Sequence, residues 1–222
     1  LRERGIDHFD GWAATFGDRW PMLAVRSQNE DRRDYLRLVT ALDENVGRVL
    51  DALDELGLAE DTLVIYASDN GFIDREHGLS GKGTAYEASM RTVLLMRYPR
   101  LAARGALEGL ALNVDVAPTV LDLAGLPVPA CMQGRSLRPL LERGAEAPWR
   151  TEVLYEFFDG QTYGGIPATL TVRGERYKLI TYPCYPSWTQ LFDLAEDPLE
   201  MEDLAASAEH AELRANLERR LL

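Results

Sequence analysis

Lysine is nearly missing from this sequence: Lys82 and Lys178 are its two lysines, against 24 Lys and Arg together. Positive charge is carried by arginine, so each lysine stands out as a compact ammonium where the chain otherwise places planar guanidinium groups. The formal net charge of -12 excludes a general nucleic-acid binder, which needs a basic footprint for phosphate. Two cysteines, Cys131 and Cys184, permit one disulfide at most, too few for a disulfide scaffold, and leave the redox compartment open. No apolar run approaches the roughly 18–20 residues that span a bilayer, and the first residues carry no basic segment followed by an apolar one. The sequence starts at Leu1 instead of Met, from which we expect an upstream part. What is present is ample: 222 residues, 46% hydrophobic and 27% charged, enough to bury a sizeable core.

Residues 1–33, broken by Gly5, Gly11, Gly17 and Pro21, read as a connecting segment. From Asp34 to Leu56 the apolar residues Leu38, Leu42, Val46, Val49, Leu53 and Leu56 recur every three or four positions, which predicts an amphipathic helix with Gly57 as its C-cap. Thr62–Ala67 and Thr92–Met96 are short, almost continuous apolar runs, the pattern of strands buried on both faces. Val114–Leu123 predicts a helix introduced by Asp115, with Pro118 in its first turn. Helix alternating with buried strand predicts an α/β domain over residues 1–147. Beyond it, Glu152–Phe158, Ala168–Arg173 and Arg176–Tyr182 read as short strands, with a hairpin turn at Gly174-Glu175. Residues 148–222 are thus expected to form a small antiparallel β subdomain closed by a helix from Ala208 to Leu222.

Ligands of an open α/β sheet gather where loops leave the carboxyl ends of its strands. Ser68-Asp69-Asn70-Gly71 is placed there. Asp69 offers an anionic oxygen and Asn70 a neutral one, the donors that calcium or magnesium prefer, and Gly71 permits the sharp turn that aims both at one ion. An isolated Asp-Asn-Gly is also the signature of a simple Asx turn. The context favours a site, because Gly81-Lys82-Gly83-Thr84 follows, a glycine-flanked ammonium suited to an anionic ester.

The string Ser68-Asp69-Asn70-Gly71-Phe72, Glu76-His77-Gly78-Leu79, Gly81-Lys82-Gly83, Tyr86-Glu87 and Arg91 closely resembles the second half of the catalytic domain of the sulfatase family. Further ordered matches are Leu42-Asp43-Glu44-Asn45-Val46-Gly47, Asp115-Val116-Ala117-Pro118-Thr119, Gln133-Gly134-Arg135-Ser136-Leu137, Leu191-Phe192-Asp193-Leu194 and Asp197-Pro198. The resemblance implies the C-terminal part of a sulfatase-like, alkaline-phosphatase-like α/β sandwich. It implies Asp69 and Asn70 as calcium ligands, and Lys82 as the catalytic cation that binds sulfate and stabilises charge on its oxygens. Glu87 and Arg91 would brace the loop. His77 either reaches a substrate hydroxyl or makes a structural hydrogen bond.

Sulfatases use a formylglycine made from Cys or Ser in a Cys/Ser-x-Pro/Ala-x-Arg motif that precedes the part seen here. Cys184-Tyr185-Pro186-Ser187-Trp188 imitates it for four positions but ends in Trp188, and Cys131-Met132-Gln133-Gly134-Arg135 lacks the central Pro or Ala. The formylglycine is therefore expected upstream of Leu1, and this chain alone to be inactive. Three functions stay open. The first is hydrolysis of a sulfate ester of a small molecule or carbohydrate. The second is a phosphatase or phosphodiesterase of the same superfamily, against which Asn70 speaks because two-zinc enzymes commonly carry Asp-His at this turn. The third is a non-catalytic carbohydrate-binding or interaction relic of the fold.

Overall fold

A computed structural model of the chain describes residues 28–101, 105–158 and 166–221. The chain divides into two compact units, Leu1–Val64 and Ile65–Leu222.

In the first unit, helix α1 runs Gln28–Glu55. It starts ahead of the expected Asp34 because the apolar stripe marks only the helical face, while the polar residues upstream are adequate helix formers. Residues 28–33 are thus helical and not connecting loop. The helix ends as a Schellman motif: Leu58 N donates to Leu53 O at 2.9 Å and Gly57 N to Asp54 O at 3.1 Å, with Gly57 at φ +67°. The rest of the connecting segment, residues 1–27, lies outside the described residues.

In the second unit, strands β1 (Val64–Ala67) and β4 (Leu94–Arg97) pair with each other, but neither is buried on both faces as their apolar runs predicted: Ala67 and Leu95 are exposed and the other residues are half-buried. Between them, β2 (Ile73–Asp74) and β3 (Ser80–Gly81) form a small antiparallel ladder, and α2 (Glu87–Met90) makes one turn. A 3₁₀ turn at Asn113–Asp115 leads into α3 (Val116–Leu123), which carries Pro118 where a missing N–H costs nothing. Helix α4 spans Arg138–Arg143.

The C-terminal sheet is a four-stranded antiparallel meander, β5 (Glu152–Phe157), β6 (Thr169–Gly174), β7 (Tyr177–Thr181) and β8 (Gln190–Asp193), in that spatial order. Its fourth strand was not among those expected from the sequence. The closing helix α5 covers Ala211–Arg219, shorter at both ends than the expected Ala208–Leu222. Neighbouring residues of a strand face opposite sides of the sheet, and here both sides are covered. On one side Val172, Leu179 and Leu191 pack on Leu217 of α5. On the other, Ile180 and Phe192 pack on Ile73, Ala85 and Tyr86, so the segment carrying Lys82 rests on this sheet.

Candidate functional site

Ser68-Asp69-Asn70-Gly71 leaves the carboxyl end of β1, and its backbone is held at every residue. Ser68 N donates to Val93 O at 3.2 Å and Gly71 N to Ser89 O at 2.8 Å. Thr92 Oγ1 donates to Ser68 O, and Asn113 Nδ2 to both Ser68 O and Asp69 O, each at 3.1 Å. A Cβ on Gly71 would stand 2.3 Å from Ala88 O, so only glycine lets the turn approach the α2 segment this closely.

Within the turn, Asn70 Nδ2 donates to Gly71 O at 2.8 Å, which turns Asn70 Oδ1 to accept from Lys82 Nζ at 2.7 Å. Asp69 Oδ2 lies 3.9 Å from the same ammonium. The three residues singled out from the sequence are thus brought together, with one carboxylate and one amide oxygen facing a single positive charge. Lys82 sits between Gly81 at φ +110° and Gly83 at φ +94°, and Gly83 N donates to Ser89 Oγ at 3.0 Å. Asp69 and Lys82 remain open to solvent, with side-chain exposures of 83% and 50%, so neither is spent on the core.

Asp69 and Asn70 turn one carboxylate and one amide oxygen toward the Lys82 ammonium, two hard donors of the about six to eight that calcium takes. Among the described residues, no group of three or more His, Cys, Asp and Glu is placed to hold a metal.

His77 adopts a left-handed backbone at φ +57°, and its ring lies flat on Tyr86, with centroids 3.9 Å apart and planes at 9°. Burial lowers its pKa below 6.5, only partly opposed by the nearby Glu76 carboxylate. It stands in an aromatic stack, with the ring held in the neutral form at neutral pH.

Two buried ion networks brace this site. The β7 register puts Lys178 on the face that meets Tyr86, fully buried, with Nζ 3.1 Å from Glu87 Oε1 and 2.5 Å from Glu200 Oε1. Glu200 also accepts from Glu87 N at 2.6 Å, and Arg173 lies 3.3 Å from Glu87. Burial pushes the Glu87 carboxyl up, but the Lys178 charge and Arg173 outweigh it and hold its pKa below the usual value. For Glu200 burial wins, and its pKa is raised. Glu87 therefore braces the loop, through partners far along the chain.

The second network holds Asn113. Asp115 is buried and accepts from Leu112 N and Arg135 N, each at 2.8 Å. It also pairs with both terminal nitrogens of Arg150. Burial raises its pKa, and those donors together more than reverse the shift. Gly134 makes this possible: a Cβ there would lie 1.9 Å from Val114 O. The sequence marked Asp115 as a helix start, while its partner Arg150 and the link through Asn113 carried no local signal.

The sulfatase family profile matches residues 7–126, and the profile described as N-sulphoglucosamine sulphohydrolase, C-terminal, matches residues 75–222. The chain belongs to the sulfatase family. It is 37% identical over 189 residues to an N-acetylglucosamine-6-O-sulfatase of Bacteroides thetaiotaomicron, covering 83% of this chain and 34% of that protein. Human arylsulfatase K is 32% identical over 210 residues, covering 90% of this chain and 38% of its own length. The fold matches a structure solved in complex with its substrate D-glucosamine-2-N,6-O-disulfate, with a TM-score of 0.82 and 32% identity, over 94% of this chain and 44% of that one. A phosphonate monoester hydrolase of Agrobacterium radiobacter also matches, with a TM-score of 0.70 and 29% identity over 82% of this chain and 38% of that one. The chain spans about a third of the length of the curated relatives it matches, 34% and 38% for the two described.

Proposed function

We propose that this chain supplies the C-terminal part of the active site of a sulfatase that hydrolyses a sulfate ester of a carbohydrate. The single observation that carries the reading is the convergence of Asp69 Oδ2 and Asn70 Oδ1 on Lys82 Nζ, at 3.9 and 2.7 Å, at a strand end. Lys82 would bind the sulfate and meet the negative charge that grows on its oxygens as the ester bond breaks. Asp69 and Asn70 would hold calcium, which when bound acts as a Lewis acid toward the sulfate oxygens. The nucleophile, a formylglycine, would come from outside this chain, because neither Cys131 nor Cys184 stands in the required motif. His77 would border the substrate as a neutral ring that can accept a hydroxyl proton. The similar N-acetylglucosamine-6-O-sulfatase and the similar structure holding D-glucosamine-2-N,6-O-disulfate support a sulfated amino sugar as the substrate class.

The phosphonate monoester hydrolase with this fold supports a second reading, hydrolysis of a phosphorus ester. Assaying the intact gene product for sulfate release from glucosamine 6-O-sulfate, beside phosphate release from a phosphate monoester, separates the two. Faster turnover of the sulfate ester, lost with a calcium chelator, is the expected result. Preference for the phosphate ester overturns the sulfatase reading, and no turnover of either ester supports the non-catalytic relic.

A further inference from the structure

The segment between β7 and β8 puts Tyr185 on the surface, stacked on the half-buried Trp188, within a short loop. Tyr185 and Trp188 stack with centroids 4.1 Å apart and planes at 10°, and Tyr182 meets Trp188 edge-on at 5.9 Å. Residues 183–187 are exposed, Tyr185 by 38%. An exposed tyrosine alone is ordinary. This one belongs to a loop whose shape is fixed. Pro183 and Pro186 set two φ angles, Tyr185 N donates to Tyr182 O at 2.8 Å, Trp188 N to Tyr185 O at 2.9 Å, and Thr189 Oγ1 to Pro186 O at 2.9 Å. Such a loop presents its rings without the entropy cost of ordering them on binding.

The rings are also tied to His77 through the core. Gln190 Oε1 accepts from Tyr182 Oη at 3.3 Å and from Tyr86 Oη at 3.1 Å, and Tyr86 carries the His77 ring. A run of contacts through the buried Tyr86 and Gln190 therefore joins His77 to Trp188 and Tyr185 on one scaffold.

We propose that the Tyr185–Trp188 pair is a stacking platform for a pyranose ring of the substrate. A sugar ring presents a face of C–H bonds whose partial positive charge suits the negative face of an aromatic ring, while its hydroxyls stay in water. The platform binds the sugar and leaves the ester chemistry to the Lys82 end. It rests on the carbohydrate part of the function proposed above, and it sets which sulfate esters bind well.

The test compares the intact gene product with its Tyr185→Ala and Tyr185→Phe variants, using glucosamine 6-O-sulfate and propyl sulfate as substrates and calorimetric titration with glucosamine 6-O-sulfate. Tyr185→Ala is expected to raise KM for the sugar sulfate about tenfold, with kcat kept and propyl sulfate unaffected. Tyr185→Phe, which keeps the ring, is expected to match the parent on both. Unchanged KM for the sugar sulfate overturns the platform, and so does an equal loss on both substrates, which marks the loop as purely structural. Calorimetry needs no turnover: sugar binding that depends on Tyr185 in a protein without sulfatase activity supports the platform while overturning the sulfatase reading. Binding that does not depend on Tyr185 overturns the platform whatever the activity.

Discussion

Replacing Lys178 by methionine removes the ammonium shared by the half-buried Glu87 and the buried Glu200 while nearly keeping the side-chain volume. In the parent, Lys178 is fully buried, with Nζ 3.1 Å from Glu87 and 2.5 Å from Glu200. Without it, Glu87 keeps Arg173 at 3.3 Å, but Glu200 is left buried with only the Glu87 N–H at 2.6 Å. Breaking a buried ion pair from one side costs about 3–5 kcal/mol, because the remaining charge is uncompensated. At about 2–4 °C per kcal/mol for a domain of this size, the melting midpoint should fall by roughly 6–20 °C. The pH dependence follows from Glu200. Its folded pKa is already raised by burial and rises further without the ammonium, so the folded state holds a proton that the unfolded state has released. The variant's deficit should therefore shrink as pH falls from about 8 to about 5. Thermal melts of the intact gene product by circular dichroism, for Lys178→Met and for Lys178→Met with Glu200→Gln, measure both effects. The second change should recover part of the loss, since glutamine still accepts from Glu87 N without carrying a buried charge. A midpoint within about 2 °C of the parent, or a deficit that widens on acidification, refutes the reasoning.

Two further outcomes test the brace on Asn113. The Asp115 pKa is held below its ordinary value, so its stabilisation is present above the unfolded aspartate value of about 4 and is lost as pH falls through the folded one. Asp115→Asn should accordingly cost about 3–5 kcal/mol near neutral pH, with the gap to the parent narrowing below about pH 4 in denaturant melts. Gly134→Ala puts a Cβ 1.9 Å from the Val114 carbonyl oxygen, against backbone that cannot step aside cheaply. It should lower stability by about 1–3 kcal/mol or more and reduce turnover by shifting the Asn113 turn; a variant unchanged in both excludes this strain.

Local features of the site were legible in the sequence because they lie within fourteen residues, Asp69 to Lys82, on one loop system. Lone apolar runs located β1 and β4, and the spacing of Leu38, Leu42 and Val49 located α1, although these three side chains are exposed and neither strand is fully buried. The α1 start at Gln28 was missed because polar residues can extend a helix beyond its apolar stripe. Strand β8 was missed for another reason. Its four residues, Gln190–Asp193, include two polar side chains that are buried all the same. Gln190 accepts from two tyrosines and Asp193 pairs with Arg176, partners no periodicity can reveal. The braces were invisible likewise: Lys178 meets Glu87 across 91 positions and Arg150 meets Asp115 across 35. Only the scarcity of lysine drew attention to Lys178.

The most direct test of a Lys82-centred sulfate site is turnover of glucosamine 6-O-sulfate by the intact gene product, measured with its thermal midpoint, before and after Lys82→Ala. Lys82 is half exposed and its loop is held by Gly83 N on Ser89 Oγ, so the midpoint should stay where it was. Turnover should fall by about 10²- to 10³-fold, the cost of losing a preorganised electrostatic donor to the transition state. Activity near that of the parent, with or without a change in stability, would contradict the assignment and remove Lys82 from the site.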